Sequence, residues 1–268
     1  MTLAYVGDFP MSEKKKVLIT GASGLVGGVL REGLKKAYHL SGVDRTDIPD
    51  FELLVADSTD LEAIKPAFEG KDVVIDLASN PSDTIPWEEA YENNLRCTYN
   101  ALQAARDANV KRLIFASSIH VTRMYEFDKP YSDIVAGSYG NMSPSDIPLI
   151  KVSDPIRPDG PYGIVKAFGE AAGRHFSDRY GLSVICLRLG SFNIKGQPKD
   201  IRQFVTLLTH SDLVQLVDKC IMADDSIKFA IFWGVSNNRW RIWDISNATE
   251  LIGYEPNETA ETFRYLYE

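Results

Sequence analysis

Residues 17–27 read VLITGASGLVG, and the next apolar run, LSGVD, closes on Asp44. Val17 to Thr20 is an apolar, β-branched strand that opens straight into a glycine turn, and helical spacing follows from Val26 to Tyr38. A strand, a tight turn and a helix N-terminus in that order form the start of a βαβ unit. Gly21, Gly24 and Gly27, with Ser23, Leu25 and Val26 between them, let the backbone approach a pyrophosphate. The first-turn N–H groups and the helix dipole then hold its charge. Asp44, ending the second strand, is placed to accept both hydroxyls of an adenosine ribose. The pattern therefore predicts a bound dinucleotide. Asp44 would repel a 2′-phosphate even with Arg45 beside it, which favours NAD over NADP.

Working outward, strand and helix signals alternate as a doubly wound parallel sheet requires. Strands are expected at 39–44, 51–56, 72–78, 113–117, 183–189 and 228–233, and helices at 61–68, 87–108, 162–180, 212–222 and 244–251. Between Met124 and Pro161 the chain is rich in Pro, Asp, Ser, Gly and Tyr and loses its period. A loop of that length suggests a functional lid or disorder. The expected organisation is a tail at 1–13 followed by one α/β domain over 14–268. Its small substrate-capping lobe would come mainly from 190–268 and the 124–161 loop.

Composition narrows the function classes. The chain has 268 residues, 44% of them hydrophobic, and a formal net charge of −8, which argues against a nucleic-acid surface. No apolar run is long enough for a membrane span, and the first residues lack a signal-peptide pattern. Three scattered cysteines, Cys97, Cys186 and Cys220, without a CxxC pair read as reduced thiols, so the expected location is the cytoplasm. The histidines show no metal-ligand spacing, so no metal is expected.

Tyr162-Gly163-Ile164-Val165-Lys166 places a phenol and an ammonium four residues apart on one helix face. A nearby ammonium favours phenolate, and a phenolate can take the proton of an alcohol as hydride leaves. Tyr125 and Lys129 repeat the spacing, but Pro130 follows at once and no helix aligns them. Ser118 ends the fifth strand at the carboxyl edge, where open α/β sheets bind ligands, and there its hydroxyl can orient a substrate oxygen. His120 suits either a substrate contact or a packed histidine, and Arg202 by spacing suits a solvent-facing arginine. Trp233, Trp240 and Trp243 suit the packing of the lobe.

Together these residues resemble the extended short-chain dehydrogenase/reductase family, a Rossmann-fold family, over most of the chain. The resemblance implies Ser118, Tyr162 and Lys166 as the catalytic triad. For the cofactor it implies the glycine turn, Asp44 and Arg45, Asp57 and Ser58 after the third strand, Leu77-Ala78-Ser79 after the fourth, Asn94 and Leu189. Within that family the chain is most similar to uronate dehydrogenases, through FASSIH at 115–120, RPDGPYG at 157–163, LGS at 189–191 and WGVSNN at 233–238. The implied reaction is NAD-dependent oxidation of the anomeric hydroxyl of a hexuronate to an aldarolactone. Ser82, Ser118, Ile119, His120, Tyr162, Ser191 and Arg202 would then contact substrate, with Arg202 pairing with its carboxylate. Ile119 departs from the family pattern, which has asparagine there. Glucose-6-phosphate dehydrogenases of the same superfamily share the Pro86-Trp87 and Asn93-Asn94 pattern, so a sugar phosphate is an alternative. A nucleotide-sugar epimerase is a further one, although the chain after Gly190 is short for a nucleotide handle. A non-catalytic dinucleotide sensor is the last alternative, against which the intact triad argues. Fold analogy implies a homo-oligomer, a dimer or larger.

Overall fold

The computed structural model describes residues 13–267, so nearly all of the expected tail lies outside the described residues. Seven parallel strands form one sheet in the order β3-β2-β1-β4-β5-β6-β7. They are β1 (Lys16–Thr20), β2 (His39–Asp44), β3 (Leu53–Val55), β4 (Val73–Asp76), β5 (Arg112–Ser118), β6 (Ser183–Leu189) and β7 (Phe229–Gly234). The helices that cover them are α1 (Leu25–Leu34), α2 (Leu61–Phe68), α3 (Arg96–Asp107), α4 (Pro161–Tyr180), α5 (His210–Met222) and α6 (Ser246–Ile252).

Alternation along the strands explains the two covered faces. Val17, Ile19, Ile75, Ile114 and Ile185 point to the side of α1 and α5, where Leu30, Leu213 and Leu216 meet them. Leu18, Val74, Leu113, Phe115 and Val184 point to the other, against Ile64, Ala101 and Phe176 of α2, α3 and α4. The chain leaves β1 in one direction toward β2 and β3 and in the other toward β4, so a crevice opens between the carboxyl ends of β1 and β4. Thr20 and Asp76 close its floor. The Thr20 hydroxyl donates to Asp76 Oδ1 at 2.6 Å and accepts from the Leu77 and Ala78 N–H groups at 3.1 and 3.2 Å.

Two expectations need correcting. The long helix expected at 87–108 is interrupted by a π-helical turn over Ala90–Leu95. The widened turn carries Asn94 inward, where its amide accepts from the Asn80 N–H at 2.7 Å and donates to the Asn80 carbonyl at 3.0 Å. The 124–161 segment is not an open lid. Ile134, Ile147 and Ile150 are buried against Trp233, Trp243 and Ile242, and Tyr139 stacks on Trp240 at 3.8 Å. It lacks a period because it packs as short turns and a five-residue helix, Tyr131–Val135, onto an aromatic wall. Among the described residues, no helix is long and apolar enough to cross a membrane. Cys97, Cys186 and Cys220 are buried and unpaired.

Candidate active site

A cavity of about 830 Å3 runs along the carboxyl edge of the sheet. Of the residues expected to be catalytic or to contact cofactor or substrate, all but Ser82, Asn94 and Lys166 line it. Its dinucleotide half starts at Gly21, whose φ of +65° is a left-handed conformation, and where a Cβ would meet the Leu77 carbonyl carbon at 2.9 Å. A Cβ on Gly27 would meet the Gly21 oxygen at 2.6 Å, so the turn can close only with glycine there. Helix α1 begins at Leu25 with no side-chain cap and no acid in its first turn, so its leading N–H groups face the cavity unclaimed by a side chain. Asp44 lies at the mouth, holding the turn through the Ser23 N–H at 2.9 Å. Burial works against its charge, but the N–H groups of Ser23 and Thr46 more than offset this and keep its carboxyl below the usual range. Asp57 and Ser58 form the next wall, with Leu77, Ala78 and Ser79 opposite. Asp57 is held low mainly by the Thr59 N–H, with the Arg45 charge among the lesser contributors. A cradle that a Cβ would fill, an uncapped helix start and a ribose-height carboxylate fit NAD. Asn94 stands behind this wall, its amide spent on Asn80, and it is Asn93 that reaches the cavity.

The reacting end is set by β5 and α4. Ser118 ends β5 and is buried, its Oγ accepting from the His120 N–H at 3.2 Å. Tyr162 enters from the first turn of α4. That turn packs tightly on the chain after β5, since a Cβ on Gly163 would lie 2.4 Å from the His120 carbonyl oxygen. Lys166, one turn on and 4% exposed, sits behind the wall with Nζ 5.5 Å from the Tyr162 ring centre and 5.0 Å from that of Phe115. The expected lowering of the Tyr162 pKa by Lys166 is not what the protein's own groups do. Burial pushes the phenol up to about 12, Ser118 pulls it down, and the Asp83 charge raises it. Burial likewise brings Lys166 down to about 8, against the Asp76 carboxylate, which favours its charge. Asp76 is itself pushed up to about 6 by burial, with Thr20 and Lys166 opposing.

At the sugar end, His120 stands edge-on to Tyr162 at 5.4 Å and turns Nδ1 to both Asp159 oxygens at 3.0 and 3.1 Å. Burial opposes the Asp159 charge, but His120 and Arg123 outweigh it and lower its pKa. Arg123 bridges Asp159 at 2.9 Å and Asp83 at 3.2 Å on this wall. Ser191 pairs its hydroxyl with Thr206 at 2.7 Å. Ile119 presents an apolar side chain that is 2% exposed and also packs into the aromatic core. Ser82 turns away, bonded to Thr84, and Tyr125 of the second tyrosine–lysine pair spends its hydroxyl on the Pro155 carbonyl. Arg202 lines the cavity, but its Nε and Nη2 meet Glu126 at 2.5 and 2.7 Å. Glu126 was missed because nothing in an aperiodic segment ties it to an arginine 76 positions away. Asp159 stood inside the quoted RPDG string and could have been found.

Residues 17–211 match the family described as the NAD dependent epimerase/dehydratase family. The chain belongs to that family. It is 31% identical to L-arabinose 1-dehydrogenase (NAD(P)(+)) of Haloferax volcanii over 259 residues, covering 92% of this chain and 98% of that one. It is 32% identical to uronate dehydrogenase of Pseudomonas putida over 259 residues, covering 94% and 88%. Among solved structures, the Y136A mutant of Agrobacterium tumefaciens uronate dehydrogenase complexed with NAD aligns with a TM-score of 0.79 at 29% identity, over 95% of this chain and 89% of that one. As a member of this family, within the extended short-chain dehydrogenases/reductases, the chain is an NAD-dependent oxidoreductase.

Proposed function

We propose that the chain oxidises the anomeric hydroxyl of a free sugar, a hexuronate or its parent aldose, to the corresponding lactone, with Ser118, Tyr162 and Lys166 as the working triad. The observation that carries this is the convergence of the Ser118 hydroxyl, the Tyr162 phenol and His120 on one end of the dinucleotide cavity. The names of the relatives point the same way, since an arabinose 1-dehydrogenase and a uronate dehydrogenase both act on sugars.

Each residue has a defined task. Ser118 donates to the C1 oxygen and fixes it beside Tyr162. The Tyr162 phenolate takes the hydroxyl proton as the C1–H bond breaks and C1=O forms, and the ring oxygen stays in place to give a lactone. NAD, when bound, supplies the hydride acceptor and a positive ring that favours the phenolate. Lys166, kept charged by Asp76 against its burial, adds a second positive charge behind the phenol. His120, anchored by Asp159, faces the sugar with its remaining nitrogen.

The test is absorbance of reduced nicotinamide with NAD or NADP and a panel of galactose, arabinose, glucuronate, galacturonate and glucose 6-phosphate. We expect reduction of NAD by a free sugar and a loss of about 10²- to 10⁴-fold in Tyr162→Phe with NADH binding retained. No reduction by any sugar, or full activity in Tyr162→Phe, refutes the reading.

A further inference from the structure

The sugar end of the cavity arrives with its arginines already paired. Glu126 takes the Nε–Nη2 edge of Arg202, the edge with which a guanidinium grips a carboxylate side-on. The Glu126 side chain is 5% exposed, against 24% for Arg202, so the carboxylate is packed behind the arginine and does not give way to water or a ligand without leaving a buried charge. Burial opposes the charge on Arg202, and Glu126 more than restores it. Arg123 is shared through Nη1 alone between the largely buried Asp159 at 2.9 Å and the half-exposed Asp83 at 3.2 Å. With Asp200 and Lys199 both on the exposed rim, three cations meet four carboxylates. An acid sugar or a sugar phosphate would enter a wall with an excess of negative charge and give up its own hydration there.

Resting on the sugar-oxidation reading above, we propose that the substrate is a neutral aldose and that Glu126 is the residue that enforces this. It occupies from within the chain the arginine that a substrate carboxylate would otherwise meet. An uncharged hydroxyl can still accept from Arg202 Nη1 or donate to Asp200 with no net charge to desolvate. Ile119, beside Ser118 on the cavity lining, adds neither a charge nor a hydrogen-bonding side chain there. The hexuronate expectation is thereby replaced in favour of its parent sugar. The two differ only at C6, where the acid carries a carboxylate.

Galactose and galacturonate, which are such a pair, make the test. Calorimetric titration of the NADH-loaded chain is expected to show galactose binding at least tenfold more tightly than galacturonate. Glu126→Gln keeps the shape and frees the Arg202 charge, so galacturonate should gain at least tenfold relative to galactose. In the unmodified chain, galacturonate affinity should rise with added salt as the repulsion is screened. The wild-type arms stand by themselves if the variant does not fold. Galacturonate binding as tightly as galactose, no detectable galactose binding, a fall of galacturonate affinity with salt, or unchanged selectivity in folded Glu126→Gln each overturns the proposal. These are binding readouts, so a lack of NAD reduction by every sugar falls on the oxidation reading alone.

Discussion

Gly163→Ala puts one methyl group where the structure has no room for it, next to a tyrosine that must be held to within a fraction of an ångström. The added Cβ would sit 2.4 Å from the His120 carbonyl oxygen and 3.0 Å from its carbon. The first distance is about 1 Å short of ordinary contact. Both obstacles are backbone atoms, so no rotamer change relieves the clash, and α4 must back away from the end of β5 by about that amount. Tyr162 moves with it and Ser118 does not. A misplacement of about 1 Å costs on the order of 100-fold in rate, about 2.7 kcal/mol of barrier. The overpacking cost of about 1–3 kcal/mol in stability is offset by up to about 1 kcal/mol of better helix propensity, so the variant should fold. The glycine turn is untouched, so NADH binding should stay within twofold. Steady-state kinetics, fluorescence titration of NADH and thermal unfolding give the three numbers. A folded Gly163→Ala that turns over within threefold of the parent would show that the α4–β5 contact does not position Tyr162, and the argument from this close approach would fail.

Three other perturbations have clear signs. Asp44→Asn removes the ribose-height charge and should raise the NAD dissociation constant at least tenfold while narrowing the preference over NADP, read by paired titrations. Unchanged preference would displace Asp44 from the role assigned to it. Glu170→Gln breaks a pair with Arg188 in which both side chains are buried, at 2.8 Å, and weakens the Ser117 bond at 2.6 Å. It should lower stability by about 3–5 kcal/mol, with Tm falling by roughly 10 °C, and a Tm within 2–3 °C of the parent would contradict this. Oxidation needs Tyr162 deprotonated and Lys166 charged, so with the phenol pushed up to about 12 and Lys166 brought down to about 8, kcat/KM should rise with pH and its alkaline limb should level off above about 8, where each gain in phenolate is matched by a loss of Lys166 charge. Asp76 favours that charge, so Asp76→Asn should move the alkaline limb to lower pH, and a limb that stays put rules out this coupling.

What could be read in the sequence was what depends on local order. The alternation of Val17, Leu18 and Ile19, the glycine turn and the strand-ending Asp44 each follow from near neighbours, and the strand expected at 183–189 and the helix expected at 61–68 end where the structure ends them. The dinucleotide half is made of backbone and strand ends, so most of the residues expected there do line the cavity. The sugar half was not. Arg202 and Glu126 meet only because the 124–161 segment docks on Trp233 and Trp243, and no periodicity encodes that docking. Asn94 was misplaced for a related reason, since its direction depends on one extra residue in a helical turn.

That division of labour has a consequence for how such a molecule can change. The segment that supplies Arg123 and Glu126 is anchored on the aromatic wall by Ile134, Ile147, Ile150 and the Tyr139–Trp240 stack, all remote from the glycine turn. Substitutions at Arg123 and Glu126, just ahead of those anchors, redraw the charges that greet an incoming sugar and leave the strand ends that grip the nucleotide untouched. Substrate acceptance and hydride chemistry are thus inherited as separable traits, and a new substrate range is within reach of edits confined to one stretch of the chain.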